Sequence, residues 1–369
     1  MAKKKTVDTT EQAVKNGLRT KHVVWPILFG LIGVTYMVFS EMSNMVHSPV
    51  PLSNYIHPAT AVFLLLAVVL IAIRDLAGMG RLYLLADKKL RFASLFRIRM
   101  LYEFTSAVTP SAAGGSTLEM IFINREGIPF GRSTAICVLS LFLDELFFVL
   151  FFPIVFLLFP VDAFFAMPGS AATSTIATLF ALGYVAKLIW VGILFVGIFI
   201  KPDAIACLIG RLFSFKWLRR WKMKAFRTAI DIKACSKEMR HKSISFWCCN
   251  IGYSALLWVA RFLIVNALIM AFVPLSSNAI SLFDHVVIMV RQAIVMLVMM
   301  VAPTPGGSGF VEVMFESYLG EFIPKGMVML LIVLAWRMLT YYMYLIIGAV
   351  LAPRWVAQHF PHKNKRKNG

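Results

Sequence analysis

The chain of 369 residues is 59% hydrophobic and only 15% charged, a composition that excludes an ordinary soluble domain and indicates a membrane protein. Its longest polar stretch, residues 201–242, has about 40 residues, near the lower limit for independent folding, which argues against a separate soluble catalytic domain. The formal net charge is +19. Because every basic block adjoins an apolar run, this charge favours orientation in a membrane over nucleic-acid binding.

Six apolar runs reach the length of about 20 residues that a spanning helix needs. In chain order they are residues 23–40, 59–79, 134–159, 174–200, 245–273 and 327–351. The first is predicted to be an uncleaved signal anchor, because no small-residue cleavage site follows it. The predicted organisation is a basic N-terminus at 1–22, a single membrane domain at 23–352 and a basic tail at 353–369.

Lysine and arginine are unevenly distributed between the connecting segments. Segments 41–58, 160–173 and 274–284 contain neither residue. The basic residues gather in 1–21, 81–99, 201–242 and 354–367. By the positive-inside rule the four basic segments are cytoplasmic, so both termini and the loop 201–243 are predicted to lie inside.

Two segments repeat the same order of residues: Thr-Pro, Gly-Gly-Ser, a glutamate and Ile-Pro-x-Gly. The first copy consists of Thr109-Pro110, Gly114-Gly115-Ser116, Glu119 and Ile128-Pro129-Phe130-Gly131. The second copy consists of Thr304-Pro305, Gly306-Gly307-Ser308, Glu312 and Ile323-Pro324-Lys325-Gly326. A Pro/Gly break that carries a carboxylate is not tolerated in lipid unless protein or a water-filled cavity covers it.

Counting the crossings requires both broken segments, 100–124 and 290–322, to enter and leave the membrane on the same side. The predicted fold is therefore an all-α polytopic membrane protein with six spanning helices and two Pro/Gly-broken re-entrant hairpins. The hairpins belong to inverted repeat units at about 59–160 and 245–351, which points to a binding site near the midplane. The alternative is a pair of Pro-kinked helices that only pack together.

The small residues of each hairpin have predicted roles in turning the chain and binding the substrate. Gly114, Gly115, Gly306 and Gly307 permit a sharp turn and the close approach of another group. A helix that begins near Ser116 or Ser308 directs free N–H groups into the turn, where they attract anions such as a lipid phosphate. Helix capping alone is the alternative explanation for these serines.

Charged residues within hydrophobic surroundings are candidates for function, because each is costly unless it is paired or hydrated. They are Glu103, Glu119, Asp144, Glu145, Lys187, Arg261, Arg291, Glu312, Glu316 and Arg337. The predicted substrate site uses Arg291 and Arg337 to hold a phosphate. Glu312 and Glu119 are predicted to balance charge in this site or to couple transport to protons. Asp144, from the first repeat unit, is predicted to belong to the same site. A purely structural set of ion pairs is the alternative.

Three charged residues near the end of the second apolar run, Arg74, Asp75 and Arg81, are predicted to extend to the membrane interface. Two basic and aromatic segments, 88–100 and 215–227, suit the anionic inner leaflet, although ordinary positive-inside signals explain the charge equally well.

No metal or other cofactor is predicted. The five cysteines and seven histidines show no metal-site spacing. The motifs G-x-x-x-x-G-K-[ST], G-x-S-x-G and H-E-x-x-H do not occur in the chain, so neither an enzyme nor an ATP-driven pump is expected.

The repeated segments resemble a known family. Residues 303–312, which read PTPGGSGFVE, are similar to the P-x-P-G-G-x-G-x-x-E signature of flippase-like proteins related to the transmembrane domain of lysylphosphatidylglycerol synthase. Residues 109–119, followed by Arg125-Glu126-Gly127-Ile128-Pro129, resemble the looser first motif of that family. Glu119 stands where an arginine is expected in many relatives, which speaks against anion binding by the first hairpin.

The resemblance covers residues 23–351 and implies a role in moving or handling polar lipids. It does not imply the synthase activity, which needs a large soluble aminoacyl-transfer domain. The leading hypothesis is a flippase-like protein of a bacterial inner membrane that translocates a phospho- or glycolipid, with membrane lipids as its partners. The alternatives are a membrane enzyme or accessory subunit that modifies lipid-linked sugars or lipid head groups, and an ion-coupled transporter of a small solute.

Overall fold

The computed structural model describes residues 55–108, 112–166, 170–200, 239–273, 280–298, 315, 318–323 and 327–359. The predicted first span, 23–40, and the predicted tip of the second hairpin lie outside these residues, as does most of the basic loop. Within the described part the chain is helical, with no strands.

The helices are α1 (Thr60–Leu85), α2 (Phe92–Val108), α3 (Ala112–Arg125), α4 (Phe130–Leu158), α5 (Asp162–Phe165), α6 (Ser170–Phe195), α7 (Ile244–Phe272), α8 (Leu282–Val298), α9 (Met327–Arg337) and α10 (Met343–His359). A π-helical turn, Val196–Ile200, extends α6, and another, Met338–Tyr342, joins α9 to α10.

Five helical stretches in the described part of the chain are long and apolar enough to cross a membrane. They are Thr60–Leu85, Phe130–Leu158, Thr173–Ile200, Ile244–Phe272 and Met327–His359. Five of the six predicted spans therefore coincide with helices. Two ends were predicted too early: α1 continues past residue 79 to Leu85, and the last helix continues past 351 to His359. Arg81 and Trp355 lie beyond the apolar runs, but both are buried. Their contacts with Asp144 and Phe122 stabilise the additional helical turns.

Helices α1 and α7 form a close antiparallel pair at the centre of the bundle. At one end the hydroxyl of Thr60 donates to the carbonyl of Ala271 over 2.7 Å. Toward the other end a Cβ on Gly80 would lie 2.7 Å from a ring carbon of Tyr253. Glycine thus lets the two helices approach closely, as small residues do between membrane helices. Two adjacent spans of opposite direction fit the predicted crossing order.

Helices α2 and α3 form an antiparallel hairpin. Arg97, near the start of α2, donates to both carboxylate oxygens of Glu126, just beyond α3, over 3.0 and 2.9 Å. The start of α2 and the end of α3 therefore lie side by side and form the open end of the hairpin. With 17 and 14 residues, the helices are about 25 and 21 Å long, shorter than the apolar core of about 30 Å.

The glycines of this hairpin do not lie where the sequence predicted. Helix α3 begins at Ala112, so Gly114 and Gly115 occupy its first turn rather than the bend before it. The prediction of a helix start near Ser116 was four residues late. Residues 109–111, between α2 and α3, lie outside the described chain.

Helix α10 covers the hairpin. The ring of Trp355 meets the edge of the Phe122 ring at a centroid distance of 4.9 Å. Further along, Gly348 lies directly against Phe104 of α2. Helices α4 and α6 pack beside this core through phenylalanines, among them Phe152 against Phe180 at 4.8 Å. An ion pair between Lys187 and Glu145 joins the same two helices.

Asp87 joins three segments of the chain at the open end of the hairpin. It follows α1, and its carboxylate pairs with Arg132 at the start of α4 and with Lys242, before α7, the latter at 2.8 Å. Burial alone would raise the pKa of the Asp87 carboxyl, but the hydrogen bond from Lys242 and the charge of Arg132 outweigh it and hold this pKa below its ordinary value.

Asp87 is expected to make stability depend on pH in the acid range. Because its folded pKa is depressed, its contribution is complete above the ordinary value of about 4 and is lost as the pH falls through the lower folded value. We expect Asp87→Asn to be less stable than the wild type at neutral pH and to lose less stability on acidification. Thermal unfolding scans between neutral pH and about pH 3 measure this, with Asp162→Asn, an exposed position at the start of α5, as the control. Equal acid sensitivity of Asp87→Asn and the wild type would contradict it.

Candidate functional site

A cavity of about 200 Å³ lies between α2, α7, α8 and α9. One wall is apolar and includes Phe262, Phe315 and Leu319. The other walls carry polar and charged side chains: Tyr102, Glu103, Ser106, Arg261, Gln292, Arg337, Thr340 and Tyr341. A charged cavity enclosed by apolar helices is the usual form of a binding site inside a membrane domain.

Two arginines face this cavity from different helices. Arg261 of α7 stacks on Trp258, with its guanidinium carbon 5.4 Å from the ring centroid. Within the described chain its guanidinium has no hydrogen bond or ion pair. Arg337, at the end of α9, is only 5% exposed and lies 5.0 Å from the ring of Trp336 and 5.3 Å from that of Tyr341. Aromatic stacking fixes the planes of both groups while leaving N–H edges for other partners.

A π-helical turn starts directly after Arg337 and shapes this side of the cavity. Two of its residues, Thr340 and Tyr341, line the cavity. The Thr340 hydroxyl donates to the Trp336 carbonyl over 2.7 Å, which satisfies a backbone group in the widened turn. Such turns occur frequently at functional sites.

A buried network of four charges lies beside the cavity. Arg74, which is 0% exposed, contacts Asp75 at 2.9 Å and Glu103 at 3.2 Å. Arg99 contacts the same two carboxylates at 3.2 and 2.6 Å. The Tyr344 hydroxyl donates to the second Asp75 oxygen over 2.5 Å. Since Glu103 also lines the cavity, the network reaches its wall.

This network corrects the prediction that Arg74, Asp75 and Arg81 extend to the membrane interface. All three are buried. Arg81 reaches across to α4 and binds both Asp144 oxygens over 2.5 and 3.0 Å. The apolar context of α1 suggested exposure at a helix end, but α2, α4 and α7 cover this part of the helix and supply the partners.

A second, smaller cleft of about 20 Å³ adjoins the first cavity. It contains Glu119 and Asp144, both predicted site residues, and it is completed by Gly78, Arg81, Leu82, Arg99, Tyr102, Ser140 and Leu141. Both carboxylate oxygens of Asp144 already accept hydrogen bonds from Arg81. One of them also accepts from the Trp258 indole over 2.9 Å. Tyr102 lines both spaces and separates them.

Arg291 does not lie with Arg337. It is buried in α8, where it donates to the carbonyls of Tyr318 and Ala163 over 2.9 and 3.0 Å and pairs with Glu321 at 3.0 Å. These contacts hold α5 and residues 318–321, near the end of the second broken segment, against α8. Arg291 is not among the residues that line the cavity.

The other predicted site residues of the second hairpin, Gly306, Gly307, Ser308 and Glu312, lie outside the described residues. Gly114, Gly115 and Ser116 lie among the first five residues of α3. Sequence reasoning included Arg261 and Glu103 among the candidate charges but did not assign them to the site, and it missed Arg99. The i,i+4 spacing of Arg99 and Glu103 on one helix was an available signal.

Known proteins similar to this chain are described as membrane proteins. The profile of the family described as "Lysylphosphatidylglycerol synthase TM region" matches residues 27–348. A protein of Archaeoglobus fulgidus described as "UPF0104 membrane protein" is 24% identical over 274 residues, which cover 71% of this chain and 76% of that protein. No solved structure matches the chain.

Proposed function

Because the chain belongs to the family of the lysylphosphatidylglycerol synthase transmembrane region, we propose that it translocates a polar phospho- or glycolipid across a bacterial inner membrane. The observation that carries this proposal is Arg261, whose guanidinium faces a cavity inside an apolar bundle without an ion pair in the described chain. A half-buried cation inside an apolar bundle indicates an anionic ligand.

The head group occupies the cavity while its acyl chains stay in the bilayer. A volume of about 200 Å³ is below the range of about 300–1,000 Å³ for pockets that enclose whole drug-sized ligands. Arg261 and Arg337 bind the phosphate, and an arginine fork suits its oxygens. Glu103 and the Gln292 side chain face the remainder of the head group. Arg261 thus takes the place that the sequence assigned to Arg291.

The transport path uses the predicted inverted repeat. Helices α2 and α3 form the first re-entrant hairpin, which opens to the cytoplasm, where the basic residues gather. The second broken segment, 290–322, belongs to the second repeat unit and has the opposite orientation in this proposal. The antiparallel contacts of α1 with α7 support this arrangement, since corresponding helices of inverted repeats run in opposite directions. Both termini lie in the cytoplasm.

Replacing Arg261 with glutamine is expected to slow lipid translocation by about ten- to a hundredfold. A hydrogen bond to a charged group contributes about 1.5–3 kcal/mol, and each 1.4 kcal/mol corresponds to a factor of ten. The measurement is the rate at which fluorescent, chain-labelled phosphatidylglycerol in proteoliposomes becomes accessible to an external quencher.

Arg240→Gln is the matched control, because Arg240 is exposed, donates to the Ile200 carbonyl and is not among the residues that line the cavity. It should translocate lipid like the wild type. If Arg261→Gln retains the wild-type rate while folding normally, Arg261 does not bind the head group and the proposal loses its main support.

A further inference from the structure

We propose that Glu119 is a proton-binding site whose occupancy is coupled to anion binding in the neighbouring cavity. Glu119 lies on α3 and lines the smaller cleft. It is surrounded by protein, although part of its surface faces that cleft. Its use in transport rests on the proposed lipid function, whereas proton binding itself does not.

The carboxylate of Glu119 forms no ion pair with a lysine or arginine of the described residues. Its hydrogen-bond neighbour is the buried thiol of Cys137. The two nearest arginines are already engaged: Arg81 by Asp144, and Arg99 by Asp75 and Glu103. Burial without a partner disfavours the charged form of a carboxyl group.

The groups that face Glu119 come from three helices. They are Arg81 of α1, Arg99 and Tyr102 of α2, and Cys137 and Asp144 of α4. Helix α10 contributes His359 only near Glu126, at the open end of the hairpin. Within this set Asp144 favours the neutral form of Glu119, while the two arginines favour the anion. Opposing influences of this kind allow a carboxyl group to exchange a proton during a working cycle.

The cleft is connected to the cavity through two residues. Tyr102 lines both spaces. Arg99 lines the cleft and also pairs with Glu103, which lines the cavity. When Glu119 binds a proton, one negative charge disappears next to this arginine. The potential in the cavity becomes more positive, so an anionic head group binds more tightly. By linkage, a bound anion strengthens proton binding to the same degree.

The sign of this coupling gives Glu119→Gln a specific phenotype. Glutamine has the shape of the protonated side chain, so the variant is fixed in the tight-binding state. Wild-type affinity for labelled phosphatidylglycerol is expected to fall at least about fivefold from acid to alkaline pH, the lower end of typical coupling between sites. Glu119→Gln is expected to bind as tightly at alkaline pH as the wild type does at acid pH.

Infrared difference spectroscopy of the purified protein tests the proton site without lipid. Between about pH 6 and pH 9, above the range in which ordinary carboxyl groups titrate, the wild type is expected to show the carbonyl band of a protonated carboxyl group, and Glu119→Gln is expected to lose it. Glu126→Gln is the control, because Glu126 pairs with Arg97 outside the cleft and the band should remain. If the band persists in Glu119→Gln, the proton site is overturned.

Fluorescence titration of labelled phosphatidylglycerol at several pH values tests the coupling. Equal pH dependence in the wild type and Glu119→Gln overturns the coupling even if the infrared band behaves as expected. Absence of lipid binding in every variant at every pH overturns the proposed lipid function instead, and the infrared result still decides the proton site. Glu119→Asp, which keeps a carboxyl group, should retain both the band and the pH dependence.

Discussion

Replacing Asp75 with asparagine should destabilise the protein by about 3 to 5 kcal/mol, the cost of breaking a buried ion pair from one side. Asp75 is the carboxylate that Arg74 and Arg99 share, and it also accepts from Tyr344. Its removal leaves Arg74, which is 0% exposed, with Glu103 as its remaining anion. Thermal and denaturant unfolding of the purified protein measures the loss.

Two further variants test whether the stability loss in Asp75→Asn comes from the unpaired charge. Asp162→Asn, on the exposed surface of α5, should change stability little. The double variant Arg74→Met with Asp75→Leu removes both charges together and keeps the Arg99–Glu103 pair, so it should recover much of the lost stability. A near-wild-type Asp75→Asn would show that the two arginines are neutralised by other groups.

Gly348→Ala is expected to destabilise the protein by about 1 to 3 kcal/mol because it overpacks the contact between α10 and α2. The new Cβ would lie 2.1 Å from Cγ and 2.3 Å from Cβ of Phe104. Both atoms are close to the main chain of α2, so rotation of the ring does not relieve the clash. The helices themselves must separate, which strains the hairpin beside the cavity. Thermal unfolding is the measurement.

The chain offers a matched control for this substitution. Gly252 on α7 has no neighbouring atoms within 4 Å of an added Cβ, so Gly252→Ala should be neutral or stabilising by up to about 1 kcal/mol through helix propensity. In a Phe104→Ala background, which removes the Cγ of residue 104, Gly348→Ala should cost less stability than it does in the wild type. If Gly348→Ala and Gly252→Ala are equally stable, close packing at Phe104 is not the reason for glycine at 348.

The spanning helices were predictable from sequence because apolar length is a local property. Residues 245–273 were predicted and Ile244–Phe272 is the helix. The arrangement of the charges was not predictable in the same way. Arg261 and Arg291 both lie within apolar helices and look alike in sequence. Which one faces the cavity depends on helix rotation and on partners as distant as Ala163, which lies 128 residues from Arg291.

The boundary errors have a related cause. Charged residues such as Arg81 mark the end of an apolar run, and the sequence rule treats them as the membrane surface. In this protein they are covered by neighbouring helices, so α1 continues through them. Likewise the sequence predicted a break in the chain at the paired glycines, but Gly114 and Gly115 lie inside helix α3. The predicted ends of α1 and of the last helix were six and eight residues too early, about two helical turns.

The central α1–α7 pair has a consequence for the order in which the protein is made. Helix α7 starts at Ile244, so α1 is synthesised and inserted long before its main packing partner exists. During that interval Arg74 and Asp75 would be exposed to lipid if α7 alone protected them. Their ionic partners, Arg99 and Glu103, are instead less than 30 residues away. The nascent first unit can therefore neutralise its own charges in the membrane before the second unit emerges from the ribosome.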